Sequence, residues 1–408
     1  MSSKRVLFFS GSIGLGHVGR DLSIARELRK RCPGVDLAWL AAPPADRVIR
    51  EAGENLLADA DDLADASLAA ESAASGGALS LVRYAAKVKG HWSRNVAVVG
   101  RVTRRERFDL LIGDETYEIS LAYRRDPAAK TCPFAMIYDF VGFDALSRSL
   151  LERFGVYLLN CAWAVGNRKR GSAVDLSLFV GEASDVPDTP FGFLLPRDRR
   201  AWAMERYNFV GPVLTFDPGD YADREEVRRR LGYGAEPLII CAVGGTAIGK
   251  EMLDLCARSF PLLRESIPGL RMILVCGPRL SLEGVDLPEG IERRGYVPAL
   301  YEHLAASDLA IVQGGGTATL ELTALRRPFI YFPIEGHSEQ QIHVAGRLER
   351  LGAGLKMELA RTTAGLLAKA VLAEIGRPIL HAPVPVDGAR RAAGLIGELL
   401  EKQPACVR

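Results

Sequence analysis

The sequence predicts an α/β protein made of two Rossmann-like domains, each a parallel sheet covered by helices. Three observations lead there. Short apolar runs of strand length alternate with helical patterns along the whole 408-residue chain, as parallel sheets layered with helices require. The runs fall into two groups, separated by a stretch rich in Gly, Pro and charge. Three of the strands lead directly into glycine-rich turns that open helices.

In chain order, "RVLFF", "VDLAWLA", "FDLLIGD" and "PFAMIYD" read as strands of the first half, and "PLIICAV", "RMILVCG", "DLAIVQ" and "RPFIYFP" as strands of the second. Between them, "YNFVGPVLTFDPGDYADREEVRRRLGYGAEP" has linker composition, which sets a boundary near Gly211: one domain over 1–210, the other over 211–386. At the end, Ala392, Leu395, Ile396, Leu399 and Leu400 share one helical face. Residues 387–408 are therefore expected to form an amphipathic helix that packs back on the first domain.

Composition excludes several classes. A net charge of +2 with 25% charged residues carries no polyanion signature, so nucleic acid is not an expected partner. Seven cysteines, odd in number and without a CxxC pair, read as reduced core thiols of a cytosolic protein and suggest no metal. The opening "MSSKRVLFFSGSIGLGH" has a Lys4-Arg5 pair and an apolar run, but glycines break the run and no small-residue cleavage site follows. It reads as a first strand, not a signal peptide. No apolar stretch reaches the roughly 18–20 residues that cross a bilayer.

The three glycine loops are "SGSIGLGH" at 10–17, "VGGTAIGK" at 243–250 and "QGGGTATLE" at 313–321. Glycine lets backbone approach a ligand, and a helix start offers unpaired N–H groups, so each loop can cradle an anion. A tight turn with no ligand is the plain alternative for any one of them. The second loop approaches the nucleotide-binding P-loop but places Glu251 where a magnesium-holding hydroxyl belongs, which argues against an ATPase. Glycines 11, 14 and 16 miss the GxGxxG spacing, and Asp36 precedes its strand, which disfavours NAD. The "DADD" run, Asp59 to Asp62, fits the loose DxD pattern of metal-dependent sugar transferases but reads as a solvated face.

From Gln313 to Gly354, "QGGGTATLELTALRRPFIYFPIEGHSEQQIHVAGRLERLGAG" resembles the donor-site signature of GT-B glycosyltransferases, most closely family 28. The resemblance extends to Gly244-Gly245-Thr246, to Gly295-Tyr296-Val297-Pro298, to "FVGPV" and to the first loop. It implies a GT-B fold, two Rossmann-like domains with parallel sheets facing across a cleft. It also implies an inverting, metal-independent transfer of a hexose or N-acetylhexosamine from a UDP-sugar to a hydroxyl acceptor, lipid-linked or small. Glu321 would accept from both ribose hydroxyls, and Tyr296 or the Val297 backbone would meet the uracil. Gly244, Gly245, Gly315, Gly316, Thr317 and Thr246 would surround the diphosphate, and Gln340 and Gln341, with Glu339, would hold the sugar. Gly14 and Gly16 would lie on the acceptor side. Gln313, Ala318 and His343 depart from residues common among relatives.

Sugar transfer leaves negative charge on the departing diphosphate, which backbone donors and a helix dipole can stabilise where a metal would otherwise serve. The acceptor hydroxyl needs a base. His17, with an ordinary pKa near 6.5, can take a proton at cellular pH. Asp114 sits where plant relatives orient that histidine, with Glu115 as the neighbouring alternative and Asp21 as the fallback base. A histidine beside glycines can also simply bond a carbonyl, and the helix dipole favours Glu321 with no ligand at all.

From Ser72 to Arg105 there is no acidic residue, and Arg83, Lys87, Lys89, Arg94, Arg101, Arg104 and Arg105 interleave with apolar residues. This stretch is either a basic surface for peripheral contact with an anionic membrane, on the cytoplasmic face, or an ordinary solvated helix pair. Two rival functions stay open: a UDP-sugar 2-epimerase, and a non-catalytic nucleotide-sugar-binding subunit.

Overall fold

The computed structural model describes residues 4–11, 15–65, 74–75, 78–79, 81–146, 149–166, 173–245, 248–280 and 287–402, with 74–89 and 165–166 described by backbone alone. The chain divides into two compact units. The first comprises Met1–Ala70, Val82–Thr215 and Pro385–Arg408; the second comprises Glu71–Leu81 and Phe216–Val384.

The first unit holds a sheet of seven parallel strands: β1 (Arg5–Phe9), β2 (Asp36–Leu40), β3 (Asn55–Leu56), β4 (Leu110–Asp114), β5 (Phe134–Tyr138), β6 (Leu176–Val180) and β7 (Asn208–Gly211). Their spatial order is β3-β2-β1-β4-β5-β6-β7. The central strands are apolar on both faces because both are covered: Leu7, Phe9, Leu111 and Met136 enter one core, and Val6, Phe8, Ile112 and Ile137 the other. The second core also takes Val18, Ile24 and Leu28 from the helix Gly16–Arg31, and Ala392, Ala393, Ile396 and Leu400 from the last helix, Gly388–Glu401. That helix approaches closely. A Cβ on Gly388 would lie 2.2 Å from the Pro212 carbonyl oxygen.

The second unit holds six parallel strands: β8 (Leu238–Ala242), β9 (Arg271–Val275), β10 (Ile291–Arg294), β11 (Leu309–Gln313), β12 (Phe329–Phe332) and β13 (Leu355–Lys356), in the order β10-β9-β8-β11-β12-β13. An antiparallel pair, Ala74–Ser75 with Ala78–Leu79, is grouped with this unit. In each sheet the order reverses between the first and fourth strands of its set. Such a reversal opens a crevice beyond the carboxyl ends of those strands, where ligands of open α/β sheets bind.

Three elements differ from the sequence reading. The linker begins after Thr215, four residues beyond the boundary at Gly211, because "NFVG" pairs with β6 and completes the first sheet. β6, "LSLFV", had no distinct sequence signal within its polar surroundings. The "DADD" run forms a 3₁₀ turn, Ala58–Asp62, and Asp59 and Asp62 bind Arg101 and Arg105 of the helix Leu81–Arg105. That pairing neutralises two of the basic residues proposed to meet a membrane, and the side chains of Arg83, Lys87 and Lys89 lie outside the described residues. Among the described residues no helix is long and apolar enough to cross a membrane.

Candidate functional site

In the first unit the crevice lies between β1 and β4. Gly16 opens the helix that carries His17 one residue later, and Gly11 gives the imidazole room, since a Cβ there would lie 3.5 Å from His17 Nδ1 and 3.0 Å from the Asp114 carbonyl oxygen. Gly14 lies outside the described residues. Asp114 ends β4, fully buried, and its Oδ2 is 3.0 Å from His17 Nδ1. The two residues paired from sequence therefore meet.

Arg20, one turn after His17, is the residue the sequence reading missed. Its Nε donates to Asp114 Oδ2 at 2.9 Å, its Nη2 to Asp114 Oδ1, and its Nη1 to Asp139 Oδ2 at 2.7 Å. Its Nη2 also lies 2.8 Å from His17 Nδ1. The signal was available: a positive residue at i+3 from a histidine shares its helix face.

Charge balance sets the protonation states. Burial opposes the imidazolium of His17 and Arg20 adds to that, but the charge and hydrogen bond of Asp114 together with the charge of Asp139 outweigh both, so the pKa of His17 lies above its ordinary value. Burial also opposes ionisation of Asp114; Arg20 and His17 reverse that and hold it ionised. Asp139 is held ionised in the same way, against burial, by Arg20. Glu115, in the left-handed region at φ 51, is pushed well above the usual carboxylate range by burial and by Asp139, so it stays protonated beside it. Asp21 is also pushed well above the usual carboxylate range by burial and by Asp114, and its Oδ2 accepts from Ser10 Oγ at 2.6 Å. Asp21 is fully buried, whereas the His17 side chain is 16% exposed, so of the two His17 is the more accessible to an acceptor hydroxyl.

His17, Glu115 and Asp139 bring one potential ligand atom each within 4.8 Å of one another. The guanidinium of Arg20 already supplies positive charge to that group through Asp139. Tyr117 links it to an aromatic wall: the Tyr117 hydroxyl donates to Glu115 Oε1 at 3.1 Å, and its ring lies 5.3 Å from Trp163, which also meets Phe140 and Phe143. Trp163 belongs to the helix Leu150–Gly166, whose Leu150, Leu151, Phe154 and Leu158 are exposed.

In the second unit the crevice lies between β8 and β11, and two of the glycine loops leave it side by side. Gln313, at the end of β11, ties them together: its Nε2 donates to the Ile248 carbonyl at 2.7 Å, and its Oε1 accepts from Gly244 N–H at 3.2 Å. Gln313 thus serves as a brace, and the Gly244 amide is committed to it. Gly245 is buried in the same loop, and Thr246 lies outside the described residues. Gly249 must be glycine, because φ is +122 and a Cβ would lie 2.4 Å from Gln313 Nε2 and 2.7 Å from Val243 Cγ1. Gly249→Ala is expected to cost about 1–3 kcal/mol of stability, read as a lowered melting temperature. Lys250, the P-loop-like lysine, turns along its own helix to Asp254 at 2.8 Å.

The helix Gly316–Ala324 starts beyond Gly315 with Thr317 exposed in its first turn. Arg347, also not anticipated, donates from Nη2 to the Gly316 carbonyl at 3.2 Å and brings a cation to this turn. Glu321, on the same helix, is 9% exposed. No described residue hydrogen-bonds its carboxyl, and burial alone raises its pKa to about 8.

Glu339, Gln340 and Gln341 lie on a π-helical turn, Glu339–Val344, a form concentrated at functional sites. Glu339 Oε1 would be 3.5 Å from a Cβ on Gly316. Gln340 Oε1 accepts from Ile334 N–H at 2.9 Å, and Gln341 Nε2 donates to the Pro333 and Ile334 carbonyls at 3.2 Å each, so both glutamines brace the turn after β12. Tyr296 and Val297 follow β10, with Val297 packed partly against the core.

Residues 239–378 match the glycosyltransferase family 28 C-terminal domain. An uncharacterised glycosyltransferase of Methanopyrus kandleri is 28% identical over 196 residues, 47% of this chain and 54% of that protein. The UDP-N-acetylglucosamine--N-acetylmuramyl-(pentapeptide) pyrophosphoryl-undecaprenol N-acetylglucosamine transferase of Carboxydothermus hydrogenoformans is 28% identical over 205 residues, 48% and 53% of the two chains. This chain thus spans about half the length of these relatives. Among solved structures, the glycosyltransferase of kitacinnamycin aligns over 98% of this chain and 96% of its own at TM-score 0.61 and 17% identity. Acinetobacter baumannii MurG aligns over 98% and 100% at TM-score 0.50 and 15% identity. With two parallel α/β sheets, the chain has the GT-B fold of these glycosyltransferase structures, and its second unit is similar to the family 28 C-terminal domain.

Proposed function

We propose that this protein is an inverting, metal-independent glycosyltransferase that moves a hexose or N-acetylhexosamine from a UDP-sugar to a hydroxyl acceptor. Glu321 carries the reading. A carboxyl this buried, with no hydrogen-bond partner among the described residues, costs stability, and a ribose diol offers the two donors that would satisfy it. The second unit holds the donor, with the diphosphate against the Gly245 and Gly315–Thr317 backbone and Arg347 nearby, so main-chain donors and that cation stabilise the leaving group. In the first unit, His17 takes the proton of the acceptor hydroxyl while Asp114 orients the ring and balances the imidazolium.

The aromatic wall around Trp163 and the exposed apolar residues of its helix favour an acceptor with an apolar portion, such as a lipid-linked one. A lipid-linked acceptor would bring the protein to the cytoplasmic face of a membrane, with exposed Arg94 and Arg104 facing anionic headgroups.

A panel of nucleotide-sugars tests the reading by calorimetry and by UDP release with and without acceptors. UDP-sugars should bind more tightly than 2′-deoxy analogues, and chelator should leave binding and release unchanged. Absence of UDP-sugar binding, or dependence on a divalent cation, overturns it. A free epimer formed without acceptor would establish the 2-epimerase instead.

A further inference from the structure

His17 Nδ1 has two neighbours that want opposite things. Asp114 Oδ2, at 3.0 Å, can only accept and calls for a proton on Nδ1. Arg20 Nη2, at 2.8 Å, can only donate and calls for a bare lone pair there. An imidazole nitrogen has a single in-plane site, so one neighbour is satisfied at the expense of the other. No described contact uses Nε2, so the outcome at Nδ1 decides whether Nε2 carries a proton or a lone pair.

We propose that Arg20 is a positioning residue that gates the base: its Nη2 donates to His17 Nδ1 and holds neutral His17 in the Nε2–H form, and only when it releases Nδ1 does the Nε2 proton leave to solvent while a solvent proton binds Nδ1 facing Asp114, which bares the Nε2 lone pair for the acceptor proton. Asp139 is placed to take the released guanidinium, because its Oδ2 already accepts from Nη1 at 2.7 Å. The other groups facing the ring do not compete. Glu115 and Asp21 are both pushed well above the usual carboxylate range, and Tyr117 is hydrogen-bonded to Glu115. The guanidinium is therefore the positive charge set against the two ionised carboxylates, Asp114 and Asp139. Its removal should leave both acting on His17.

The inference rests on His17 being the base, yet its test needs no substrate. Nitrogen NMR of the full chain labelled in histidine, with the His17 signals assigned by their loss in His17→Gln, reads both tautomer and titration. In the wild type, above the pH at which His17 loses its charge, Nδ1 should give the shift of an unprotonated ring nitrogen. Arg20→Gln should move that proton to Nδ1 and raise the titration midpoint of His17 by about one pH unit or more. Arg20→Lys keeps the charge without the fork, so the midpoint should stay near the wild-type value while the proton still moves to Nδ1. A merely structural Arg20 would leave the tautomer unchanged in variants that keep the wild-type melting curve, whatever the loss of its charge does to the midpoint.

A wild-type Nδ1–H signal overturns the proposal outright, and that result is available even if the Arg20 variants fail to fold. An unchanged tautomer in folded Arg20→Gln also overturns it. Failure of UDP-sugar turnover would count against the enzymatic reading alone and leave the tautomer result standing.

Discussion

Glutamine in place of Glu321 is expected to weaken UDP-sugar binding by on the order of 10- to 100-fold while making the folded protein more stable at pH 8. Both effects have one origin. Burial raises the carboxyl pKa to about 8 in the folded state, well above the roughly 4.3 of an exposed glutamate. Ionisation is therefore a cost carried by the folded state, absent below about pH 4 and growing as pH rises toward 8. At neutral pH and above, glutamine should remove on the order of 1–3 kcal/mol of that cost, and at pH 4 the two proteins should melt alike.

Binding has the opposite sign, because only the carboxylate accepts from both ribose hydroxyls. Wild-type affinity should strengthen about tenfold per pH unit between pH 6 and 8, with proton release on binding. In the Gln variant both dependences should vanish. Calorimetry in buffers of different ionisation enthalpy measures them, and a wild-type affinity that is flat with pH would remove Glu321 from the donor site.

His17→Ala should lower turnover by about 10²–10⁴-fold, the usual worth of a positioned base, with UDP-sugar affinity kept within about twofold. Asp114→Asn should also cut turnover, since an amide neither balances the imidazolium nor enforces its orientation. The raised pKa of His17 fixes the direction of the pH profile. Its base form appears as the proton leaves, so kcat at saturating donor should climb with pH through a midpoint above 6.5 and lose that limb in the alanine variant. Equal losses of turnover and of donor binding would contradict the separate roles.

The sequence made the sheets legible where strands are buried on both faces, as in "FDLLIGD" and "PLIICAV", because such runs stay apolar throughout. Edge strands escaped: β10 is "IERR" and β13 is "LK", half-polar because only part of each is covered. Asp114 and His17 were readable as partners from register. The i+3 spacing placed Arg20 on the His17 face, but its ion pairs with Asp114 and Asp139 were not readable, because no motif marked them as partners. Gln340 and Gln341 illustrate the converse limit: spacing located them, but only coordinates reveal that they hold the 333–334 backbone. Glu321 was read from its motif, whereas its burial is a property of packing alone.

The last helix, Gly388–Glu401, fills a groove in a sheet whose first strand was made nearly four hundred residues earlier, while the second unit is almost entirely one uninterrupted segment. On the ribosome, the second unit can therefore finish folding while the first still waits for the helix Gly388–Glu401. Nascent chains stopped after Val384 should yield a second unit of normal melting behaviour beside a first unit that is open to protease along Val18, Ile24 and Leu28.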